Sequence, residues 1–266
     1  MQSVRLVEQW PVDNVAVAVV AADGRVLATY GDQDRVFRLA SVTKLLSAYG
    51  VLVAIEEGAV EWDQPAGPAT VRHLIAHTSG LAFDVPTVQA EPGTRRIYSN
   101  AGFEVLADFV HTATGIPFAD YLDEGVFAPL GMTSTKLEGS AGAGAVSTAA
   151  DLARFAAELQ APTLVSSLGE ATTVAFPGLN GVLPGYGMQK PNDWGLGFEI
   201  RDGKSPHWTG TASSPRTFGH FGQSGTFLWV DPVAGAACVA LADRDFGPWA
   251  IEAWTSFTDA VLAELA

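Results

Sequence analysis

Strand hairpins near both ends of the 266-residue chain restrict its fold more than any other pattern. Residues 15–20 and 25–30 are rich in β-forming side chains and flank an Asp-Gly dipeptide, a strong signal for a tight hairpin. Residues 225–230 and Ala236–Ala242 form a second such pair around a turn that contains proline and glycine. We therefore expect one sheet completed by both chain ends, with the chain between them inserted as a lobe.

The middle of the chain has a predominantly helical periodicity. Residues 45–57 are apolar nearly all round, which is typical of a helix buried at the centre of a protein, and Gly58 follows them. The other predicted helices are residues 71–77, 100–114, 117–127, 148–159 and 248–266. Residues 162–191 are rich in glycine, proline and threonine without a clear period, so we expect loop with short elements there.

These elements predict a single domain of the α/β (α+β) class that spans residues 1–266. Its antiparallel sheet is built from residues 1–40 and 205–266 and is flanked by helices. Residues 41–204 form a mostly helical lobe. A cleft between the sheet and this lobe is the natural place for a ligand.

The balance of charge excludes several classes of partner. The chain has 15 lysines and arginines against 29 aspartates and glutamates, which gives a formal net charge of −14. Such a field repels nucleic acid and anionic membranes and mildly opposes anionic substrates. We therefore expect no nucleic-acid partner and no membrane association.

The cysteine content and the first residues bear on cofactors and location. Cys238, the single cysteine, lies in an apolar run, which excludes an intrachain disulfide and predicts a buried thiol. We expect neither a metal nor a cofactor. Charged residues and a proline interrupt the first part of the chain, and no run of about twenty apolar residues occurs, so we expect a cytoplasmic protein.

Ser41 and Lys44 lie three residues apart at the start of the predicted central helix. This spacing places them on one face about one turn apart, so the amine can lie within hydrogen-bonding reach of the hydroxyl. Burial would make Lys44 a usable base near neutral pH, and the helix N-terminus offers free N–H groups to an oxyanion. Taken alone, the pattern is more typical of a helix cap beside a solvated lysine.

Two further patterns carry useful chemical groups. At Tyr98 and Asn100, a phenol can exchange protons with a nucleophile or leaving group, and an amide can orient a carbonyl and a lysine. At His220 and Gly222, the edge of a predicted strand can donate a backbone N–H to an oxyanion, and glycine permits close approach of an acyl group. Taken alone, the pattern at Tyr98 and Asn100 is explained by a helix cap. The pattern at His220 and Gly222 is explained by a structural turn.

Each of the three patterns occurs once, and their order argues against coincidence. Residues 41–44, 98–100 and 220–222 resemble the three active-site motifs of the serine β-lactamase and penicillin-binding protein superfamily, in its class C and esterase branch. Further segments resemble the same branch: 71–81, 92–93, 129–132 and 147–152. The resemblance implies a β-lactamase/transpeptidase-like fold and acyl transfer through a covalent serine ester.

The resemblance also implies a role for each motif residue. Ser41 is the nucleophile, and Lys44 and Tyr98 share the base and acid roles. The backbone N–H groups of Ser41 and Gln223 stabilise the oxyanion. The substrate-binding residues are Asn100, His220, Phe221, Gly222 and Gln223. Whether Lys44 or Tyr98 takes the first proton stays open, since the two groups would titrate as a coupled unit.

The third motif departs from the penicillin-recognising members of the superfamily, which usually carry Lys-Thr-Gly or Lys-Ser-Gly there. His220 is similar to the residue of the esterases and peptidases, and a histidine is mostly neutral at pH 7. We therefore predict a serine hydrolase of small esters or amides, with β-lactamase or D-amino acid peptidase activity as the alternative. A homologue that binds a peptide or acyl ligand without turnover is the third hypothesis. The expected partner is a small-molecule ester, amide or lactam substrate, and the oligomeric state is open.

Other local patterns have structural explanations. His73 and His77 have the spacing of a zinc pair, but no glutamate lies between them in the metalloprotease pattern, so we expect them to be structural. The glycine-rich residues 139–144 lack the order of a dinucleotide-binding loop and are interpreted as a flexible turn. Aromatic residues are more often core than pocket, so only Phe221 is assigned to the cleft. The aromatic residues left unassigned are Trp194, Trp208 and Trp229.

Overall fold

The computed structural model describes residues 1–266, and a six-stranded antiparallel sheet forms its framework. The strands of the chain are β1 (Val15–Ala21), β2 (Val26–Tyr30), β3 (Phe37–Arg38), β4 (Pro65–Ala66), β5 (Ala69–Thr70), β6 (Lys136–Leu137), β7 (Ala145–Ser147), β8 (Gly181–Leu183), β9 (Gly187–Gln189), β10 (Glu199–Ile200), β11 (Phe218–Gly222), β12 (Thr226–Asp231) and β13 (Ala236–Ala242). The main sheet has the order β10-β11-β12-β13-β1-β2. Strand β1 pairs along its whole length with β13, which confirms the predicted sheet built from both chain ends.

The helices lie on both faces of this sheet and in the part of the chain between strands β2 and β10. They are α1 (Thr43–Glu56), α2 (Val71–Ile75), α3 (Asn100–Thr114), α4 (Phe118–Leu122), α5 (Ala149–Gln160), α6 (Leu168–Ala171) and α7 (Pro248–Leu265). Short 3₁₀ turns occur at Ser3–Gln9 and Ala40–Val42, and a π-helical turn occupies Asp123–Phe127. None of these helices combines the length and the apolar character needed to cross a bilayer.

The main sheet separates two hydrophobic cores, because side chains along a strand alternate between its faces. On β1, Ala16 and Ala18 face the larger core, which contains the lobe helices, whereas Val17 and Val19 face the smaller one. Helix α7 covers the smaller core with apolar residues at helical spacing, including Trp254. Helix α5 packs on the opposite face against β13 and β1.

The central helix α1 holds the start of the site in place. Twelve of its residues are buried, as the apolar sequence predicts, and it ends just before Gly58, whose φ of 70° is the left-handed conformation that commonly follows a helix. The 3₁₀ turn Ala40–Val42 leads directly into it. Ser41 therefore stands on a turn anchored by the most deeply buried helix of the chain.

Several element boundaries differ from those predicted. Helix α2 ends at Ile75 rather than at residue 77, because His77 adopts a positive φ of 58° that no α-helix accommodates. The helix predicted over residues 117–127 divides into α4 and the π-helical turn. The strand β10 precedes residue 205, and the division into a sheet region and a lobe stays a prediction.

The region from 162 to 191 contains α6 and a short hairpin, β8–β9, within longer loops. Gly181 forms an isolated parallel β-bridge with Arg96, and the N–H of Arg96 donates to the carbonyl of Asn180 at 3.2 Å. The hairpin thus lies beside the extended segment that leads to Tyr98. This arrangement places an irregular part of the chain at the edge of the site.

Candidate active site

Three separate elements bring the predicted motifs together. Ser41 lies on the turn before α1, Tyr98 directly precedes α3, and His220 lies on β11. All three line one cavity of about 250 Å³. The Lys44 amine lies 4.6 Å from the centre of the Tyr98 ring. Residues separated by up to 179 positions in the chain therefore meet in one pocket, as the motif order predicts.

The end of β11 and the turn after it contact Arg38 and Leu39, two residues that precede Ser41. A side chain at Gly222 would collide with the carbonyl oxygen of Leu39, so only glycine lets the strand pass this close. Thr226 Oγ1 donates to the same carbonyl at 2.9 Å, and Ser224 Oγ donates to the Arg38 carbonyl at 2.6 Å. These contacts fix the distance between the third motif and the nucleophile turn.

Two backbone N–H groups are available beside Ser41. Neither the N–H of Ser41 nor that of Gln223 donates a hydrogen bond within the protein. Both residues line the cavity. Unpaired N–H donors that face a reacting carbonyl are the components of an oxyanion hole. Their use by a substrate stays a prediction.

Lys44 is fully buried and its amine is held by two acceptors. It donates to Asn100 Oδ1 at 2.5 Å and to the Gly142 carbonyl at 2.7 Å, and not to the Ser41 hydroxyl. Burial lowers the pKa of Lys44 to about 7, against the opposing effect of Asp84 and Glu104. A large fraction of the amine is therefore neutral near pH 7.

The side-chain amide of Asn100 forms hydrogen bonds with both Lys44 and Asp84. Its Oδ1 accepts from Lys44, and its Nδ2 donates to Asp84 Oδ1 at 2.8 Å. The helix cap is Ser99 instead, whose Oγ accepts from the Gly102 N–H at 3.0 Å. Asn100 does not line the cavity, so its immediate effect is to orient the lysine. Contact with a substrate stays a prediction for this residue.

The hydrogen bonds of His220 define its tautomer. Its Nδ1 lies 2.6 Å from the Phe221 carbonyl oxygen, which can only accept, so Nδ1 carries the proton. Burial, and then the charge on Lys44, lower the pKa of His220 to about 3. The neutral Nε2 therefore accepts, and the Tyr98 hydroxyl donates to it at 3.2 Å.

The Tyr98 hydroxyl stays protonated at neutral pH. Burial raises the pKa of Tyr98 above its ordinary value, and a hydrogen bond with the Ser41 side chain opposes this shift only in part. Because its own proton points to His220, Tyr98 offers an oxygen lone pair to the Ser41 hydroxyl. Tyr98 therefore lies between Ser41 and His220 in the cavity and donates to His220.

His77 accepts hydrogen bonds from the backbone on both sides of Tyr98. The sequence assigned it to a structural role. Its carbonyl accepts from the Ile97 N–H at 2.9 Å, and its Nδ1 accepts from the Ser99 N–H at 3.1 Å. The ring lies 4.7 Å from that of Tyr98. Burial lowers the pKa of His77 well below its ordinary value, which keeps Nδ1 free to accept.

The two histidines of the zinc-like spacing have different partners. His73 Nδ1 lies 2.7 Å from Thr70 Oγ1, whereas His77 Nδ1 accepts from the backbone of Ser99. The glycine-rich turn also has a partner in the site, since the Gly142 carbonyl accepts from Lys44. A backbone carbonyl has no signature in the sequence, so this acceptor was not predicted.

Aromatic side chains form much of the cavity wall. Phe221 lines it as predicted, and Trp194 and Trp208, left unassigned by the sequence, line it as well. Trp194 stands edge-on to the His220 ring at 5.3 Å. Trp229 is fully buried in the smaller core instead. The pocket thus suits an apolar group beside the reacting carbonyl.

A buried carboxylate network supports one side of this wall. Glu199 Oε2 accepts from Trp208 Nε1 at 2.8 Å and lies 2.8 Å from His207 Nε2, while Oε1 accepts from Lys204 at 2.5 Å. Burial raises the pKa of Glu199, but contacts with His207 and Lys204 outweigh it and bring the pKa to about 2. The network fixes the Trp208 ring, and no motif predicted it.

The antiparallel sheet and the position of Ser41 and Tyr98 in one cavity, with Lys44 beside Tyr98, are the arrangement expected of a serine hydrolase of the β-lactamase and penicillin-binding protein type. A family model described as Beta-lactamase matches residues 6–260. The chain therefore belongs to the β-lactamase family, and the predicted resemblance is confirmed.

Solved structures and curated proteins agree with this assignment. The crystal structure of a β-lactamase from Mycobacterium bovis is 58% identical, covers 99% of each chain and superposes with a TM-score of 0.98. A simvastatin synthase mutant from Aspergillus terreus, 19% identical over 99% of this chain and 93% of that one, has the same fold with a TM-score of 0.81.

Curated relatives are longer proteins. The D-alanyl-D-alanine-carboxypeptidase/endopeptidase AmpH of Escherichia coli strain K12 is 26% identical over 46% of this chain and 44% of its own length. The chain spans less than half the length of the curated relatives it matches first. Their full activities are therefore transferred to this chain only as proposals.

Proposed function

We propose that this protein hydrolyses small esters through an acyl-enzyme on Ser41. The observation that carries the proposal is the meeting of Ser41, Tyr98 and His220 in one aromatic-walled cavity beside a lysine whose pKa is about 7. A site with a nucleophile, a neutral amine and a phenolic proton donor has the components of acyl transfer. A module that only binds a ligand has no need of this combination.

In the proposed mechanism, neutral Lys44 takes the proton of Ser41 as its oxygen attacks the ester carbonyl. The N–H groups of Ser41 and Gln223 donate to the oxyanion of the tetrahedral intermediate. The Tyr98 hydroxyl turns from His220 to the leaving oxygen, donates its proton there and regains one from the Lys44 ammonium. The alcohol departs, and the acyl group remains on Ser41.

Water completes the cycle by the reverse sequence of proton transfers. A water molecule attacks the acyl carbonyl and passes a proton to Tyr98, which gives its own proton to Lys44. The bond between the acyl carbon and Ser41 then breaks, the Lys44 ammonium returns a proton to Ser41, and the acid is released. The burial of Lys44 supports this proposal for both half-reactions, because a lysine with an ordinary pKa would be charged at pH 7.

The neutrality of His220 supports esters over β-lactams as substrates. A cation beside the oxyanion hole would hold the carboxylate of a penicillin, but His220 has a pKa of about 3 and carries no charge at neutral pH. Arg216, the nearest arginine in sequence, lines neither this cavity nor the adjoining groove. The site therefore lacks a fixed cation close to the reacting carbonyl.

β-Lactam hydrolysis is the second candidate, because the similar structure from Mycobacterium bovis is described as a β-lactamase and is 58% identical. The two candidates are separated by comparing kcat/KM for p-nitrophenyl butyrate with that for a chromogenic cephalosporin at pH 7.5. We expect the ester to be turned over at least about a hundredfold faster, a difference of about 3 kcal/mol in transition-state stabilisation. A cephalosporin value equal to or above the ester value would reverse the ranking.

A further inference from the structure

A second and larger cavity opens beside the catalytic pocket. It has a volume of about 770 Å³ and shares Tyr98 with the smaller pocket, whereas Ser41 lines the smaller one alone. We call it the side groove. The residues of the side groove used below are Phe83, Arg95, Tyr98, Val182, Met188 and Lys190.

The side groove is locally cationic in a strongly acidic protein. Its lining contains three basic residues and no aspartate or glutamate, although acidic residues outnumber basic ones in the chain by 29 to 15. Arg96 is buried and its guanidinium donates to the carbonyls of Ala76, Ala175 and Phe176. Two basic side chains therefore remain for a ligand.

Neither Arg95 nor Lys190 forms an ion pair, and both are exposed. The neighbouring Arg96 is buried, whereas Arg95 is exposed and lines the side groove. Lys190 follows strand β9 and lines the side groove as well.

Exposed apolar side chains accompany these cations. Phe83, Val182 and Met188 line the side groove and are each about half exposed. Val85 and Val88 lie on the same loop as Phe83 and are also about half exposed. An apolar wall with unpaired cations matches a ligand that has an apolar chain and a terminal anion.

The position of Tyr98 assigns the part of the substrate that enters the side groove. The acyl carbon becomes bonded to Ser41, so the acyl group lies in the smaller pocket. Tyr98 delivers the proton to the leaving oxygen and stands between the two cavities. The substituent on that oxygen, the alcohol portion, therefore extends into the side groove.

We infer that the preferred substrate is an ester whose alcohol portion is an apolar chain ending in a carboxylate, which binds at Arg95 and Lys190. This inference rests on the proposed function. Arg95 and Tyr98 both line the side groove and lie three residues apart, so their Cα atoms are at most about 10 Å apart. An eight-carbon chain matches this span, whereas the carboxylate of a penicillin lies much closer to its reacting carbonyl.

The test compares two isosteric esters, 8-butyryloxyoctanoate and the neutral 8-butyryloxyoctanamide. For the wild type we expect kcat/KM to favour the carboxylate by about tenfold, since exposed ion pairs each contribute modestly. The double variant Arg95→Gln/Lys190→Gln should reduce this preference to within about twofold. The matched control, Lys136→Gln/Arg216→Gln, removes two exposed charges outside the groove and should keep the preference.

A short pair, 3-butyryloxypropanoate and its amide, places the anion too close to reach Arg95 and should show no preference for the carboxylate. A wild-type ratio near one for the long pair, or a ratio unchanged in the Arg95→Gln/Lys190→Gln variant, overturns the inference. If the protein hydrolyses p-nitrophenyl butyrate under these conditions, such a result leaves the proposed ester hydrolysis standing.

Binding gives a readout that does not depend on turnover. We expect the Ser41→Ala variant to bind 8-butyryloxyoctanoate about tenfold more tightly than the amide in isothermal titration calorimetry at low salt. Adding Arg95→Gln and Lys190→Gln should abolish the difference. Equal affinity of Ser41→Ala for both compounds contradicts the side-groove assignment even if the protein proves not to hydrolyse esters.

Discussion

Among single residues, Lys44 determines how the reaction should respond to pH. The proposed base must be neutral to accept a proton, and burial brings its pKa to about 7. We therefore expect kcat/KM for p-nitrophenyl butyrate to fall about tenfold per pH unit below 7 and to level off above it. His220 has a pKa of about 3, so it adds no second inflection in this range.

The pH profile has a direct control. The Lys44→Ala variant should lose activity by orders of magnitude and its residual rate should show no inflection near pH 7. A wild-type profile without an inflection between pH 6 and 8 would contradict the assignment of the base. An inflection that persists in Lys44→Ala would show that another group titrates there.

His77 should act on activity through the position of Tyr98. In His77→Leu, the Ser99 N–H loses its acceptor and a leucine must adopt a positive φ, so we expect kcat to fall at least about tenfold with a lower Tm. His77→Asn should recover most of kcat, because an asparagine oxygen can accept the same bond and asparagine tolerates this backbone conformation.

The two variants separate positioning from packing. Steady-state kinetics and thermal unfolding are measured on both, at temperatures below the Tm of the weaker one. Equal loss of kcat in His77→Asn and His77→Leu would indicate that ring packing against Tyr98 matters and that the Ser99 hydrogen bond does not.

The sequence identified the serine, the tyrosine and the histidine of the pocket, because each motif has a characteristic residue type at a fixed spacing. Ser41, Tyr98 and His220 line the cavity as expected. The roles of His77 and of the Gly142 carbonyl depend on contacts between distant parts of the chain. No local pattern records such contacts, so they emerge only from the structure.

At the level of elements, the end of strand β11 controls the geometry of the oxyanion donors. A Cβ at Gly222 would collide with the Leu39 carbonyl directly before the nucleophile turn. We expect Gly222→Ala to separate β11 from this turn, lowering kcat/KM at least about a hundredfold, because small displacements of catalytic groups are costly. Kinetics with p-nitrophenyl butyrate measure this effect.

Gly169→Ala is the matched control, because a Cβ at Gly169 in helix α6 meets nothing within 4 Å. It should keep both activity and Tm close to those of the wild type. If Gly222→Ala remains as active as Gly169→Ala, the close approach of β11 is not needed for the reaction.

The strands and long helices follow from local patterns, and the exceptions have physical reasons. Helix α3 has the predicted bounds, because its apolar face is a local signal, although its cap is Ser99 rather than Asn100. Strand β10 has only two residues and was not predicted, since its pairing with β11 is a tertiary contact. Helix α2 ends early because His77 has a positive φ, and the spacing of apolar residues does not predict that backbone angle.

Over the whole molecule, the net charge of the chain and the charge of the side groove have opposite signs. The formal charge of −14 predicts poor affinity for anions on average. The side groove reverses this sign locally, because its two free cations lie where no acidic side chain lines the wall. A sum over the chain gives no information on where the charges lie, so the structure was needed to locate them.

Labelling with a fluorophosphonate, followed by intact-protein mass spectrometry, tests whether Ser41 is the nucleophile that forms the acyl-enzyme. We expect one adduct per chain, located on Ser41 by peptide mapping, and no adduct in Ser41→Ala. The Ser41→Ala variant should fold normally and retain less than a few percent of ester turnover. An adduct on a different residue, no adduct on the wild type, or substantial turnover by Ser41→Ala would contradict this assignment.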